Sequence, residues 1–134
     1  MHGIAVAVLS ENQERLALLQ QRVEATQLGR VTVAHGSFPG GPSDVAIRRI
    51  QEARADVVVV DIAPRDVARA VQAIELIHAN VPQIAVFAAG AMTDAAVIVA
   101  VMRAGAREYL ERDASTDAFV EALRRFSASR IKAR

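Results

Sequence analysis

The sequence predicts a single α/β domain in which helices cover both faces of a parallel, five-stranded sheet. Three short runs rich in Val and Ile lack alternation of polar and apolar residues, which is typical of strands buried on both faces. Segments with the apolar spacing of amphipathic helices alternate with these runs. The chain has 134 residues, enough for one sizeable core but too few for two domains of ordinary size.

The strands and helices are predicted from these two patterns. Strands are expected at residues 3–9, 31–35, 56–61, 84–89 and 107–111; the first, third and fourth are the apolar runs, and the other two are weaker. Helices are expected from apolar residues at helical spacing, which are, in chain order, Leu16, Leu19, Val23 and Leu28; Val45, Ile47 and Ile50; Val67, Val71, Ile74 and Ile77; Val97, Ile98, Val101 and Met102; and Phe119, Leu123 and Phe126. We assign residues 1–127 to the domain and residues 128–134 to a basic tail or the start of a linker.

The order of the strands in the sheet follows from chain connectivity. Right-handed crossovers between parallel strands leave few topologies at this length, and the flavodoxin-like order 2-1-3-4-5 is the common one. In such sheets ligands bind beyond the carboxyl ends of the strands, where the first and third strands diverge. The candidate site is therefore confined to the residues that follow the strands, which are Ser10 and Glu11, Asp61, residues 88–90 and residues 111–113.

Composition excludes several classes of function. The formal net charge of +1 is too balanced for a protein that neutralises nucleic-acid phosphates. The absence of cysteine excludes disulfides, thiolate zinc sites and cysteine nucleophiles and suits the cytoplasm. The longest stretch without charged side chains, residues 76–93, contains His, Asn, Pro, Gln and Gly, so we expect no direct insertion into a membrane. No secretory leader is evident at the start of the chain.

The acids at the strand ends suggest phosphoryl chemistry. A carboxylate at the end of a central strand can act as a nucleophile toward phosphorus when a divalent cation and a fixed positive group offset the charge. Asp61 suits that role, Glu11 could supply an oxygen to the cation, and Arg112 could pair with Asp61 or its phosphate. Three residues at the strand ends also have purely structural interpretations. Asp61 could bind loop amides, Ser10 could form a capping box with Gln13, and Glu11 could complement the helix dipole.

Other motifs give no comparable signal. The loop of residues 36–43 is rich in glycine but lies at the sheet edge and lacks the lysine of a phosphate loop. The three histidines have no partner at metal-ligand spacing, and there is no G-x-S-x-G elbow. The first strand leads into residues 9–11 without a glycine, which argues against a dinucleotide fingerprint.

The string MRAGAREYLERD, followed by ALRRF, resembles the end of a response-regulator receiver (CheY-like) domain, and the resemblance covers nearly the whole chain. In that family the first strand ends in two acids, the third in a phosphoaccepting Asp and the fourth in Thr or Ser. The fifth strand carries an aromatic residue, followed three positions later by Lys-Pro. The resemblance implies that Asp61 is the phosphoacceptor equivalent and Tyr109 the switch aromatic.

The remaining family positions differ in this chain. Ser10 and Glu11 stand where the family has two acids, so one metal-binding carboxylate is missing. The hydroxyl position falls on Ala88 or, if the fourth helix is not extended, on Gly90, and neither residue can hold a phosphoryl oxygen. Lys-Pro is replaced by residues 112–113, Arg-Asp.

These differences indicate a degenerate receiver in which phosphorylation of Asp61 is impaired. Mg²⁺ relies on carboxylates, so we expect at most a weak Mg²⁺ site at Glu11 and Asp61 and no required cofactor. A guanidinium does not reproduce the compact ammonium of lysine. We also expect Arg112 to engage Asp113, in an ion pair that fills the space of an incoming phosphoryl group.

A narrower resemblance concerns the segment AGAREYL. Together with the lost site residues, it is similar to the N-terminal domain of CpaE/TadZ-type pilus-assembly ATPases, where an atypical receiver precedes a P-loop ATPase. No G-x-x-x-x-G-K-[ST] motif occurs in the 134 residues. The resemblance therefore implies either an excised localisation or dimerisation domain of such an ATPase or a stand-alone receiver.

The fourth predicted helix, within residues 93–106, has an unusual outer face. If its larger apolar residues face the sheet, Ala95, Ala96, Val99 and Ala100 point outward, where surface helices usually carry charge. The stripe indicates a contact surface, or alternatively only the high helix propensity of alanine. The resemblance supports contact, because receivers commonly dimerise or bind targets through the fourth helix, fifth strand and fifth helix.

We therefore expect a protein-interaction module that uses this surface either to form a homodimer or to dock onto an assembly or signalling partner, and that catalyses no turnover reaction. One alternative is a functional phosphorelay receiver, phosphorylated on Asp61 by a histidine kinase. Another is a module that binds a small ligand in the same crevice at the strand ends.

Overall fold

The computed structural model describes residues 3–91, 94–113 and 115–132. Some residues considered above lie outside this part of the chain: His2, which is one of the three histidines, Thr93 at the predicted start of the fourth helix, and the last two residues of the predicted tail. Strands and helices alternate through the described residues. Their bounds are β1 Ile4–Leu9, α1 Gln13–Ala25, β2 Gly29–His35, α2 Val45–Glu52, β3 Val57–Asp61, α3 Val67–Asn80, β4 Ala85–Gly90, α4 Ala95–Ala104, β5 Glu108–Glu111 and α5 Thr116–Lys132.

The five strands form one parallel sheet in the order β2-β1-β3-β4-β5. The predicted fold class and strand order are therefore confirmed. The order places β1 and β3 side by side at the centre, with the polypeptide leaving them toward opposite edges of the sheet. Residues that follow these two strands consequently converge at the carboxyl edge, where this topology builds sites.

Two layers of apolar side chains bury the sheet. Alternate residues of β3 face opposite layers, because successive side chains of a strand point to opposite faces. Val57 and Val59 pack with α1 and α5, whereas Val58 and Val60 pack with α2, α3 and α4. Both faces are therefore covered, which explains the apolar runs without alternation.

The first helix begins and ends differently from the prediction. Asn12, not Ser10, is the N-cap of α1, and its side chain accepts a hydrogen bond of 2.9 Å from the backbone N–H of Arg15. The predicted capping box of Ser10 and Gln13 is therefore wrong. Leu28 was expected in the same helix but lies beyond its end, because the Thr26 hydroxyl accepts the Leu28 N–H at 3.1 Å and turns the chain into β2.

The pairing of β1 with the edge strand β2 contains a bulge. Val6 is paired with Val31, but the next residue, Ala7, is paired with Val33, so Thr32 has no counterpart on β1. Val31 packs with the α1 and α5 layer, and Val33 packs with the opposite layer. One extra residue thus reverses the faces of the second half of β2.

The last helix is longer than the prediction implied. Helix α5 continues to Lys132, so its final turn lies within the stretch expected to be a tail or linker. Arg130 in this turn forms an ion pair of 3.2 Å with Asp56 and lies 5.6 Å from the centre of the Phe126 ring. Among the described residues, no helix combines the length and apolarity needed to span a bilayer.

Candidate functional site

The site is built around Asp61, the last residue of β3. Asp61 is fully buried although it carries a carboxylate. Ser10 follows β1 on one side of it, and Arg112 follows β5 on the other. A buried carboxylate requires compensating charge and hydrogen bonds, so the neighbours of Asp61 define what this site can do.

Among the residues that the structure describes, three side chains donate hydrogen bonds to the Asp61 carboxylate. The Ser10 hydroxyl lies 2.8 Å from Oδ2 and Arg15 Nε lies 2.7 Å from the same oxygen. A terminal nitrogen of Arg112 lies 2.9 Å from the other oxygen, Oδ1. Two guanidinium groups and one hydroxyl thus enclose a single buried carboxylate.

Ser10 connects the strand end to the start of α1. Besides donating to Asp61, its hydroxyl accepts the backbone N–H of Asn12 at 3.1 Å. Ser10 is itself fully buried, so its hydroxyl must be satisfied inside the protein. The residue therefore joins the network of Asp61, whereas the sequence suggested a helix cap as its structural role.

Arg15 is the site residue that the sequence analysis did not identify. It lies in the first turn of α1, where its position is set by the Asn12 cap. Its side chain is 27% exposed, in contrast to 1% for the Asp61 side chain that it contacts. The sequence places Arg15 on the helix that follows β1 at the strand switch point, but no spacing or motif marks it as a partner of Asp61.

Arg112 contacts Asp61 as its main partner. One terminal nitrogen also lies 3.3 Å from the carbonyl oxygen of Ile62, and the side chain is 9% exposed. The expected partner Asp113 lies at 4.0 Å from Arg112 Nε and is 70% exposed. The internal ion pair was therefore anticipated, but its short contact is to Asp61 rather than to Asp113.

Glu11 is engaged away from the buried carboxylate. Both of its oxygens accept hydrogen bonds from Arg69 of α3, with 3.0 Å between Nε and Oε1. This hydrogen bond raises the pKa of the Arg69 guanidinium above its usual value. Arg69 also contacts Asp66, the N-cap of α3, at 3.7 Å, so it ties the loop after β1 to the start of α3.

The two residues expected at the hydroxyl position do not face Asp61. Ala88 is buried in the layer formed with α2, α3 and α4, whereas Ala89 is the register partner of Asp61. A Cβ atom added at Gly90 would lie 2.5 Å from the Tyr109 hydroxyl oxygen. Because faces alternate along a strand, neither Ala88 nor Gly90 presents a side chain to the carboxylate, so the predicted hydroxyl position does not lie beside Asp61.

Tyr109 points from β5 toward the β4–α4 loop. Its hydroxyl donates a hydrogen bond of 2.6 Å to the carbonyl oxygen of Ala91. Partial burial raises the pKa of the phenol, and the positive charge of Arg112 opposes that increase. The side chain thus fastens β5 to the loop on the other face of the sheet from Asp61.

The residues present do not fit a magnesium ion. Mg²⁺ demands near-ideal octahedral oxygen geometry, and proteins usually hold it by one or two carboxylates together with water. Both oxygens of Asp61 already accept bonds from cationic side chains, and both oxygens of Glu11 are bound by Arg69. Within residues 3–91, 94–113 and 115–132, no group of three or more His, Cys, Asp or Glu side chains is arranged to hold a metal.

The outer face of α4 is partly as predicted. Ala95 and Ala96 are exposed, as is Val99 at 46%, whereas Ala100 is only half-exposed. Met102 was expected to face the sheet but is 40% exposed. The apolar surface of α4 therefore extends one turn further along the helix than the prediction.

Comparisons with known proteins identify structures of the same fold. No family model matches the chain, and neither does any curated protein. A protein from Burkholderia pseudomallei described as related to pilus assembly is 28% identical, with a TM-score of 0.73 over 93% of this chain and 90% of that one. The pilus assembly protein CpaE from Burkholderia thailandensis is 25% identical, with a TM-score of 0.74 over 93% and 98%.

Receiver domains are also among the neighbours. A response regulator from Thermotoga maritima is 19% identical, with a TM-score of 0.73 over 93% of this chain and 98% of that one. The structural neighbours are thus CheY-like response-regulator receiver domains, including CpaE/TadZ pilus-assembly proteins. The chain has the receiver fold, and the resemblance read from its sequence is confirmed at that level.

Proposed function

We propose that this chain is an atypical receiver module that acts by binding other proteins and in which phosphorylation of Asp61 is impaired. The observation that carries the proposal is the enclosure of the Asp61 carboxylate by Arg15, Arg112 and Ser10. A receiver of this kind works as a contact surface, and it catalyses no turnover reaction.

The enclosure opposes phosphorylation in two ways. A carboxylate attacks phosphorus with an oxygen lone pair, and hydrogen bonds from charged donors make that lone pair less nucleophilic. The attacking oxygen also needs room for the phosphoryl group, yet Asp61 is fully buried beneath its partners. Reaction at Asp61 would therefore require at least one arginine to leave.

The pilus-assembly neighbours support a role in an assembly machine. Two of them, at 28% and 25% identity, align over more than nine-tenths of this chain. We propose that the module is the localisation or dimerisation domain of a pilus-assembly ATPase of the CpaE/TadZ type and works in the cytoplasm. Its partners would be proteins, including a second copy of this chain, rather than nucleic acid or membrane lipid.

The contact surface proposed for this role consists of the outer faces of α4, β5 and α5. Val99 and Met102 expose apolar surface on α4, next to the small side chains of Ala95 and Ala96. Exposed apolar area of this kind often marks a site of protein contact. We propose that two copies associate through it.

A second candidate function is an ordinary phosphorelay, in which a histidine kinase phosphorylates Asp61. The presence of Asp61 at the end of β3 and of Tyr109 on β5 favours it. To separate the two, the protein is incubated with acetyl phosphate and Mg²⁺ and its intact mass is measured. We expect no phosphoryl adduct, with Asp61→Asn as the matched control.

An adduct that forms on the native chain and is lost in Asp61→Asn would contradict the proposal and establish the phosphorelay. Small-ligand binding is a third outcome, read from the melting temperature with flavin or nucleotides. The crevice beside Tyr109, on the opposite face of the sheet from Asp61, has a volume of about 140 Å³, below the roughly 300 to 1,000 Å³ of typical ligand sites, so we expect no shift from binding in that crevice.

A further inference from the structure

We infer that Arg15 is the side chain that keeps divalent cations from Asp61, because its guanidinium holds the carboxylate oxygen that such a cation would need. This inference rests on the proposed function and assigns the exclusion of a cation from Asp61, and with it the impaired phosphorylation, chiefly to Arg15. The lost acid at position 10 is then a second, weaker cause.

The two oxygens of Asp61 face different neighbours. Oδ2 faces the side of β1, where the Ser10 hydroxyl lies 2.8 Å away, and Oδ1 faces Arg112 on the side of β5. A cation shared by Asp61 and residues 10 and 11 would therefore bind at Oδ2. Arg15 Nε lies 2.7 Å from that oxygen.

Arg15 is held at this oxygen by the start of α1. Asn12 Oδ1 accepts the backbone N–H of Arg15 at 2.9 Å, and the Asn12 N–H is in turn bound by Ser10. The same short segment thus fixes both donors of Oδ2. Arg15 is poised to compete with any cation because a guanidinium is charged at every physiological pH.

Charge balance also marks Arg15 as the additional cation. Arg112 alone, 9% exposed and 2.9 Å from Oδ1, would neutralise the Asp61 carboxylate. Arg15 brings a second positive charge to the same buried group. A divalent ion bound at Oδ2 would face two guanidinium groups at close range, and like charges there repel strongly.

The test compares two explanations of poor metal binding: the guanidinium of Arg15 at Asp61 and the missing carboxylate at position 10. Mn²⁺ is titrated into the native chain, Ser10→Asp, Arg15→Met and the double variant Ser10→Asp/Arg15→Met, and free Mn²⁺ is followed by electron paramagnetic resonance. We expect Ser10→Asp alone to bind no better than the native chain, since its new carboxylate would pair with Arg15. The double variant should bind at least about tenfold more tightly than Ser10→Asp.

The control is Arg124→Met in the Ser10→Asp background. Arg124 has a 66% exposed side chain paired with Glu121, so this change alters the net charge equally without touching Asp61, and Mn²⁺ affinity should not rise. If the double variant no longer unfolds cooperatively, Arg15→Gln in the same background replaces it, because glutamine removes the positive charge but keeps a polar side chain.

Two results would overturn the inference. One is Mn²⁺ binding by Ser10→Asp as tight as that of the double variant, which would assign the defect to the missing acid alone. The other is no gain in the folded double variant. Neither result depends on whether the native chain is phosphorylated. The proposed function fails if a phosphoryl adduct forms on native Asp61, whereas this inference fails on the Mn²⁺ affinities, so the two failures are distinguishable.

Discussion

Two positively charged side chains, Arg15 and Arg112, pair with the single negative charge of the buried Asp61 carboxylate. Removing one member of a buried ion pair leaves its partner desolvated and unpaired, and this is more harmful than the pair is favourable. Arg112 is almost fully buried and shares Asp61 with the more exposed Arg15. Asp61, Arg112 and Arg15 should therefore contribute unequally to the free energy of unfolding.

We predict that Asp61→Ala lowers the free energy of unfolding by about 3 kcal/mol, because Arg112 would stay buried without its carboxylate. Arg15→Ala should cost only about 1 kcal/mol, since Asp61 keeps Arg112 and Ser10. Urea denaturation followed by circular dichroism measures both, with the exposed Arg124→Ala as control. An Asp61→Ala variant as stable as the native chain would contradict this account.

Tyr109 provides a spectroscopic probe at the residue scale, because it is the only tyrosine and the chain has no tryptophan. Burial raises the pKa of its phenol, so the folded state keeps the proton at a pH where the unfolded state has lost it. The associated stability is complete below the unfolded value of about 10 and is lost as the pH rises through the folded pKa.

We predict that phenolate absorbance of the native protein titrates with a midpoint above that of the urea-unfolded chain. Tyr109→Phe should abolish the signal and thereby verify its source. A native midpoint equal to or below the unfolded one would show that the phenol is solvated and that its hydrogen bond to Ala91 is not maintained.

The side chains around Asp61 could be predicted from the sequence where their position at the end of a strand determines that they meet. Asp61, Ser10 and Arg112 were predicted to lie together because the carboxyl ends of parallel strands meet at one edge of the sheet, and the structure brings the three side chains into contact. Ala88 failed because an error of one residue moves a strand side chain to the opposite face. Arg15 was missed because its contact with Asp61 depends on the direction of a helical side chain across 46 residues of sequence, and periodicity does not encode that direction.

At the scale of elements, helix α4 is the clearest case of an apolar face without a covering layer. The predicted exposure of Val99 is confirmed, while Met102 emerged on the surface rather than beneath it. The helix is only 10 residues long and so short a pattern leaves its rotation poorly determined. The exposed apolar stripe was therefore predicted on the correct side of α4, but the prediction did not include Met102.

We predict that Val99→Glu shifts self-association of the protein toward the monomer without changing its unfolding free energy by more than about 0.5 kcal/mol. The matched control is Val45→Glu, since Val45 on α2 is 50% exposed and lies outside the proposed contact surface. Sedimentation velocity measures both variants. Equal profiles for the native chain and Val99→Glu would remove α4 from the interface.

Helix ends were predicted less well than helix positions. The N-cap of α1 was placed at Ser10, two residues before Asn12, because both side chains suit a cap. What decided between them was the demand of buried Asp61 for a hydroxyl donor, a tertiary contact that local sequence does not reveal.

At the scale of the whole molecule, the topology was predictable because it follows from a few strong rules. Buried apolar runs, intervening helices and right-handed crossovers together leave the order that is observed. The extent of α5 was not predictable in this way. Arg130 in its last turn forms an ion pair with Asp56, which joins the helix to the amino-terminal edge of the sheet, and it also lies over the ring of Phe126 one turn earlier in the same helix.

We predict that a chain ending at Ser127 still folds but loses about 1 kcal/mol of unfolding free energy, since a surface ion pair and a cation–π contact are each worth about 0.5 to 1 kcal/mol. Arg130→Gln in the full chain should reproduce most of that loss. Thermal and urea unfolding of both proteins provide the measurement, and a truncated chain of native stability would show that the final turn is dispensable.

The bulge at Thr32 affects how this sheet can accommodate insertions and deletions. Val31 and Val33 already occupy opposite layers, as two adjacent residues of a regular strand would. Deleting Thr32 would thus leave both valines in their present surroundings, whereas deleting a residue elsewhere in β2 would redirect every side chain beyond it. Position 32 is therefore the point at which this edge strand can lose a residue without rebuilding the core.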